Sequence, residues 1–417
     1  MDDPAAFLDA FASDGWEVEP FERMLDLVHA DSENAFRLLQ LAIARGGERT
    51  TFLDAAVSFV PEDRLPDLAV EAAEAFLRDQ DNDVAAAIIS YLTLQRVTCL
   101  QPFLQRFLSD GMPNEEAYDA ERPWRGASDV EITELLASLR LATSPERRLR
   151  YFRCILESRR LPHIADALAT VGSEALPVDA SCSVEDVGFD DCQRPLFSEK
   201  VFHICLPDGG LPDYPESVWL QPGNHPTWRL PTTTGRHRLG GLADAGAACG
   251  VCGGSLHNLI TFDPTPDGIV SMRPRRLQIV TCLSCLGWTR SPLFFKHDET
   301  GTPTALDSTH EEPEFPSGPI KEMWVELSPT PPRWQWQDWA LSNSRENLHR
   351  VGGHPTWIQS AEYPTCPDCQ RLMPMLLQLD SELPTQDGHE WLWGSGGICY
   401  VFWCDGCQVS ASLWQCT

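Results

Sequence analysis

Lysine is almost missing from this chain: Lys200, Lys296 and Lys321 are the only three in 417 residues. Arginine does not make up the shortfall, since 32 basic residues face 61 acidic ones and the formal net charge is −29. A field of that sign repels phosphate backbones and anionic membrane surfaces, so neither nucleic acid nor membrane is an expected partner. The same field draws in basic proteins. Long apolar runs are also lacking, which excludes a helical membrane span. The acidic start, Met1-Asp2-Asp3-Pro4, has none of the basic and apolar character of a secretory signal. A cytoplasmic location is the expectation. No phosphate-cradling glycine loop, nucleophile elbow or HExxH occurs, so the common routes to phosphoryl transfer, acyl transfer and zinc proteolysis find no support. The chain reads as non-enzymatic.

Cysteine is plentiful, at 15 residues. In a reducing compartment, paired cysteines read as metal ligands before disulfides. Eight of the 15 form four CxxC pairs: Cys249/Cys252, Cys282/Cys285, Cys366/Cys369 and Cys404/Cys407. The intervals are 29 residues between Cys252 and Cys282 and 34 between Cys369 and Cys404. Two knuckles joined by strands supply a tetrahedral four-thiolate site, which has no open position and is structural rather than catalytic. Two such sites predict two structural zinc ions. An iron–sulfur cluster uses the same ligands. A redox CxxC would sit at a helix N-terminus in a βαβ setting, which the sequence does not offer.

The pairs belong to a larger duplication. A strand, the tetrapeptide His-Pro-Thr-Trp, a CxxC, an apolar strand ending in Asp263 or Asp380, a further apolar strand and a last CxxC occur twice in that order. The offsets are 129 at His225/His354, 117 at Cys249/Cys366 and 122 at Cys282/Cys404, which puts insertions in the loops. The two histidines read as turn residues anchored by a packed tryptophan.

Before the duplication the pattern is helical. Asn82-Asp83, Ser128-Asp129 and Ser144-Pro145 are N-terminal helix signals followed by apolar residues at helical spacing. The expected fold is α+β and multidomain. Residues 1–172 read as an all-α, HEAT-like region and 173–195 as a linker. Residues 196–300 read as the first β-rich zinc-binding repeat, 301–319 as a proline-rich connector and 320–417 as the second repeat.

Gly352-Gly353-His354-Pro355-Thr356-Trp357, the Cys366/Cys369 pair, Leu376-Leu377-Gln378-Leu379 and Tyr400-Val401-Phe402-Trp403-Cys404 together resemble two related families. One is the bacterial YwqG-like family, some of whose members are suspected immunity proteins of polymorphic toxin systems. The other is the eukaryotic programmed cell death protein 2 family of cytosolic chaperones for a ribosomal protein, whose MYND-type finger has no counterpart here. With the strong acidity, the helical scaffold joined to closed metal modules and the lack of a catalytic constellation, the expectation is an intracellular protein that neutralises a basic toxin or effector. A chaperone for a basic ribosomal protein and an enzyme with an unrecognised site are the other expectations.

Overall fold

The computed structural model describes residues 3–14, 19–31, 33–46, 56–110, 121–171, 184–206, 236–270, 275–330, 335–336, 339 and 347–417. The chain divides between Val187 and Gly188 into a helical unit and a β-rich unit. That division lies inside the segment 173–195 read as a linker.

The helical unit contains α1 (Pro4–Asp14), α2 (Glu19–Ala30), α3 (Glu33–Arg45), α4 (Leu65–Arg78), α5 (Asp83–Gln95), α6 (Leu104–Asp110), α7 (Asp129–Leu141), α8 (Pro145–Glu157) and α9 (Leu161–Val171). Local chemistry starts several of them. The Asn82 side chain accepts from Ala85 N at 3.0 Å and caps α5, and its amide donates to Ile43 O at 3.1 Å, tying the cap to the end of α3. Ser128 and Glu131 form a reciprocal capping box on α7. Apolar faces then meet: Phe76, Tyr91, Phe107, Trp124 and Ile155 are almost wholly buried.

Ion pairs bind the helical layers at a recurring interval. Arg64 reaches Glu33 across 31 positions, Arg106 reaches Glu74 across 32, Arg125 reaches Glu157 across 32 and Arg160 reaches Asp129 across 31. Most of these pairs are half-exposed and contribute little individually. Arg125–Glu157, at 2.7 Å, is the more enclosed.

The β-rich unit is built on one 11-stranded sheet, ordered β4-β3-β2-β7-β1-β8-β9-β12-β13-β5-β6. Its strands are β1 (Ser198–Cys205), β2 (His237–Leu239), β3 (His257–Phe262), β4 (Leu277–Thr281), β5 (Leu293–His297), β6 (Pro303–Ala305), β7 (Met323–Pro329), β8 (Arg350–Gly353), β9 (Met375–Asp380), β12 (Ile398–Cys404) and β13 (Val409–Gln415). A small hairpin, β10 (Leu383–Pro384) and β11 (Glu390–Trp391), stands apart.

The order exposes the duplication as a pseudo-two-fold. Outward from the central β1/β7 pair, β8-β9-β12 on one side mirrors β2-β3-β4 on the other. β1 and β7 run antiparallel, with His203 opposite Ser328 and Ile204 opposite Leu327. The copies are therefore not two modules side by side. β7 of the second copy pairs with β2 of the first, and β5 of the first pairs with β13 of the second. β6, from the proline-rich connector, extends that edge.

Both faces of the second copy's central strand are covered. Along β12, Cys399, Val401 and Trp403 face a core drawn from both copies. Ile398, Tyr400 and Phe402 face a second cluster with Met373, Met375 and Leu413. A continuous apolar run is what a strand buried on both faces requires, given its two-residue period. The far edges approach each other too, since Gln278 N on β4 donates to Gly301 O beside β6 at 3.2 Å.

Segment 188–195 belongs to this unit. The buried Asp190 carboxylate accepts from Cys192 N at 2.9 Å, Arg194 N at 2.8 Å and Arg194 Nε at 2.7 Å. Phe189 packs edge-on against Phe197.

Candidate metal centres

The Cys249/Cys252 pair forms a tight turn whose amides point at sulfur. Val251 N approaches Cys249 Sγ at 3.3 Å and Gly254 N approaches Cys252 Sγ at 3.4 Å. Strands β3 and β4 carry the first copy's two knuckles together, and β9 and β12 do the same in the second. The result is two groups, Cys249/Cys252/Cys282/Cys285 and Cys366/Cys369/Cys404/Cys407, with all four sulfurs in each within 4.8 Å of one another. All eight predicted ligands are thus brought together, and each group closes within its own copy.

The spacing matches a single ion. A tetrahedral site with metal–sulfur bonds of about 2.3 Å sets its sulfurs about 3.8 Å apart. The observed separations include 4.0 Å for Cys249–Cys285, 3.8 Å for Cys252–Cys282 and 3.6 Å for Cys369–Cys404. Sulfurs this close leave room for one ion and none for a multi-iron cluster.

Electrostatics also calls for a cation. The hydrogen bond between Cys249 and Cys282 drives the pair apart, holding Cys249 down at about 5 and, with burial, pushing Cys282 far above its ordinary range, while burial pushes Cys285 up to about 12. Four thiolates could not coexist at neutral pH in such a setting without positive charge at the centre. Either group could hold a metal ion.

Each site is braced by a strand of the other copy. Lys296 on β5 forms an ion pair with Asp368, which sits inside the Cys366/Cys369 knuckle. Trp414 on β13 donates from Nε1 to Leu286 O at 2.9 Å, beside the Cys282/Cys285 knuckle. His257, buried on β3, accepts at Nδ1 from Leu283 N at 3.1 Å within that same knuckle.

The sequence carries a further repeated element that the His-Pro-Thr-Trp pairing obscured. His237-Arg238-Leu239-Gly240-Gly241 matches His349-Arg350-Val351-Gly352-Gly353 at four of five positions, 112 residues apart (349 − 237). The structure makes the two equivalent, on β2 and β8. His237 Nδ1 accepts from Asp263 N at 3.4 Å and His349 Nδ1 from Asp380 N at 3.0 Å. The arginines diverge. Arg238 meets Asp244 at 2.8 Å and Glu322 at 3.5 Å. Burial raises the Asp244 carboxyl, but Arg276 and Arg238 outweigh it and hold the group low. Arg350 is wholly buried, donating to Thr356 Oγ1 at 2.9 Å and to His354 O, and burial pushes it down to about 9.

Of the two His-Pro-Thr-Trp elements, the one at His225 lies outside the described residues. In the second copy, His354 packs with Phe197 and Trp336. Trp357 stacks on Phe402 and leans on Tyr400. Both are packing roles.

Burial pushes His349 down to about 4. A histidine depressed in the folded state takes up protons preferentially when unfolded. Its contribution is complete above its ordinary value near 6.5 and is lost as pH falls toward 4. Denaturant titrations at pH 7 and pH 4 should show a loss larger by up to ~3 kcal/mol in the native chain than in His349→Asn. Equal losses would mean His349 is solvated in the folded state.

What fold and site define is a protein with a duplicated antiparallel sheet and two tetra-cysteine centres, joined to a helical unit. The family described as "Domain of unknown function (DUF1963)" matches residues 295–406. That span begins in β5 and takes in Cys366, Cys369 and Cys404, the region that carries the YwqG-like resemblance. The chain is 27% identical over 196 residues to "Uncharacterized protein YpfL" of Salmonella typhimurium, covering 42% of this chain and 40% of that protein. The chain thus spans less than half the length of this relative. No solved structure matches the chain. Among the described residues, no helix is long and apolar enough to cross a membrane.

Proposed function

We propose that this chain is a non-enzymatic cytoplasmic binding protein, held in shape by two structural zinc ions, that neutralises a basic toxin or effector. The observation that carries the reading is the closure of both sulfur groups, with four thiolates inside 4.8 Å in each. Four sulfur ligands satisfy zinc completely and leave no position for substrate or activated water. Their contribution is to folding, not to chemistry. The net charge of −29 supplies the second support, because it steers basic proteins onto the surface and speeds their association. The helical unit, read as HEAT-like, adds a scaffold of the kind that presents extended docking surfaces.

The second reading is chaperoning of a basic ribosomal protein. It is favoured by the resemblance of Gly352–Trp357 and Tyr400–Cys404 to the programmed cell death protein 2 family.

Affinity purification of the zinc-loaded chain from its native cell, with mass spectrometry, separates the two. The first reading expects one stoichiometric basic partner with toxic activity that the chain suppresses. The second expects one ribosomal protein. Recovery of the intact, metal-loaded chain with no stoichiometric partner would remove both.

A further inference from the structure

Large aromatic rings in the β-rich unit are mostly buried; Trp288, Phe315 and Trp324 are exposed, and the first two, 44% and 47% exposed, lie together beside the first tetra-cysteine group. Their ring centroids lie 4.9 Å apart with planes tilted by 57°. Trp288 also leans on Trp414 at 5.4 Å. The pair is held firmly from beneath. Cys285 O accepts from Trp288 N at 3.2 Å, and Glu311 N donates to Val251 O at 2.6 Å. Ser317 N donates to Ser284 Oγ at 2.9 Å, and His257 Nε2 meets Ser317 O at 3.2 Å. Segment 306–317 is thus a strap tied at several points to both knuckles of the first centre. A rigid, exposed aromatic pair costs a ligand little ordering entropy.

The charge around the rings selects the ligand. Glu311, Glu312 and Glu314 are exposed on the strap, with Glu314 directly preceding Phe315. Bases could stack on such rings, but their phosphates would meet carboxylates and a strongly negative chain. Guanidinium groups suit both features, lying on aromatic faces and pairing with carboxylates.

We propose that the strap docks an arginine-rich extended segment of a partner protein, with guanidinium groups stacked on Trp288 and Phe315 and Glu311, Glu312 and Glu314 receiving their charge. This rests on the reading that the chain binds a basic protein, and it assigns that role to one surface.

The test uses the full-length, zinc-loaded chain and a short fluorescein-labelled peptide of alternating arginine and glycine, with a glutamate–glycine peptide as control. The arginine peptide should bind and the control should not. The double variant Trp288→Ala/Phe315→Ala should weaken binding about ten-fold or more. The triple variant Glu311→Gln/Glu312→Gln/Glu314→Gln should weaken it comparably and flatten its salt dependence. Both variants should keep the native zinc content and stay folded at the temperature of the binding measurement, since none of the substituted residues belongs to a tetra-cysteine group. No binding to the native chain, or equal affinity in all three chains, overturns the proposal. Self-association of the native chain that the double variant abolishes would give the surface to a second copy and also overturns it. If a captured basic partner binds both variants as tightly as the native chain, this surface is wrong while the binding reading stands. Absence of any partner for the native chain speaks against the binding reading itself.

Discussion

Serine at Cys404 is expected to unfold the β-rich unit and to release metal from both centres, not one. The native chain should carry two zinc ions by elemental analysis, one for each tetra-cysteine group. A structural zinc contributes on the order of 10 kcal/mol or more to folding, comparable with the whole stability of a domain. Loss of one ligand from a closed site forfeits most of that. Propagation to the first centre follows from the bracing. Cys404 ends β12, β12 pairs with β13 from Cys404↔Val409 to Ile398↔Gln415, and β13 carries Trp414 onto Leu286. The helical unit should retain its own melting transition by far-UV circular dichroism. Cys416→Ser, outside both groups, is the control and should keep both ions. One metal or none in the intact native chain would sink the paired-site reading. Retention of one full zinc in a Cys404→Ser chain would show that the centres are independent.

Alanine at Gly352 or Gly240 is the second large effect expected. Both glycines hold left-handed backbone, with φ of 73° and 75°. A Cβ on Gly352 would lie 2.1 Å from Lys200 O, and one on Gly240 would lie 2.3 Å from Lys321 O. Each obstacle is the backbone carbonyl of a lysine near the start of a neighbouring central strand, so neither can swing aside. Strain and overlap together should cost on the order of 3 kcal/mol or more at either site. For a unit of this size that is a drop of roughly 6–12 °C in Tm. Zinc content at low temperature should stay native, because neither glycine touches a knuckle. A shift under about 2 °C would mean that the strands part easily, and that the tight approach does not constrain the sheet. Similar losses at the two positions would show that the pseudo-two-fold is energetic as well as geometric.

The grouping of the cysteines was legible because its geometry is local. A CxxC turn fixes its own geometry, and the order of strands between knuckles implies closure within a copy. Helix starts were legible for the same reason, as Asn82, Ser128 and Ser144 cap through bonds that span three residues. Pairing between distant strands was not. Nothing in the alternation of β5 marks it for β13 rather than β4, because a strand's two-residue period says which face is buried and not which neighbour it joins. The interval of 31 to 32 residues in the helical unit lies in single arginine–glutamate and arginine–aspartate contacts, and no apolar motif repeats with it. The His-Arg-x-Gly-Gly repeat was present in plain letters. It was masked by the more conspicuous His-Pro-Thr-Trp, whose offset of 129 differs from the true offset of 112 at that element.

The placement of β5 and Trp414 sets an order on biosynthesis. β5 leaves the ribosome more than a hundred residues before β13, the strand it must pair with. The first thiolate knuckles are likewise complete by Cys285, yet the indole that braces them is residue 414. During translation the first copy therefore waits with an open edge and an unbraced centre. It can close only when nearly the whole second copy has been made. A free sheet edge displayed for that long invites pairing with other nascent chains. Metal captured early by Cys249, Cys252, Cys282 and Cys285 would hold the waiting half in register until its partner strand arrives.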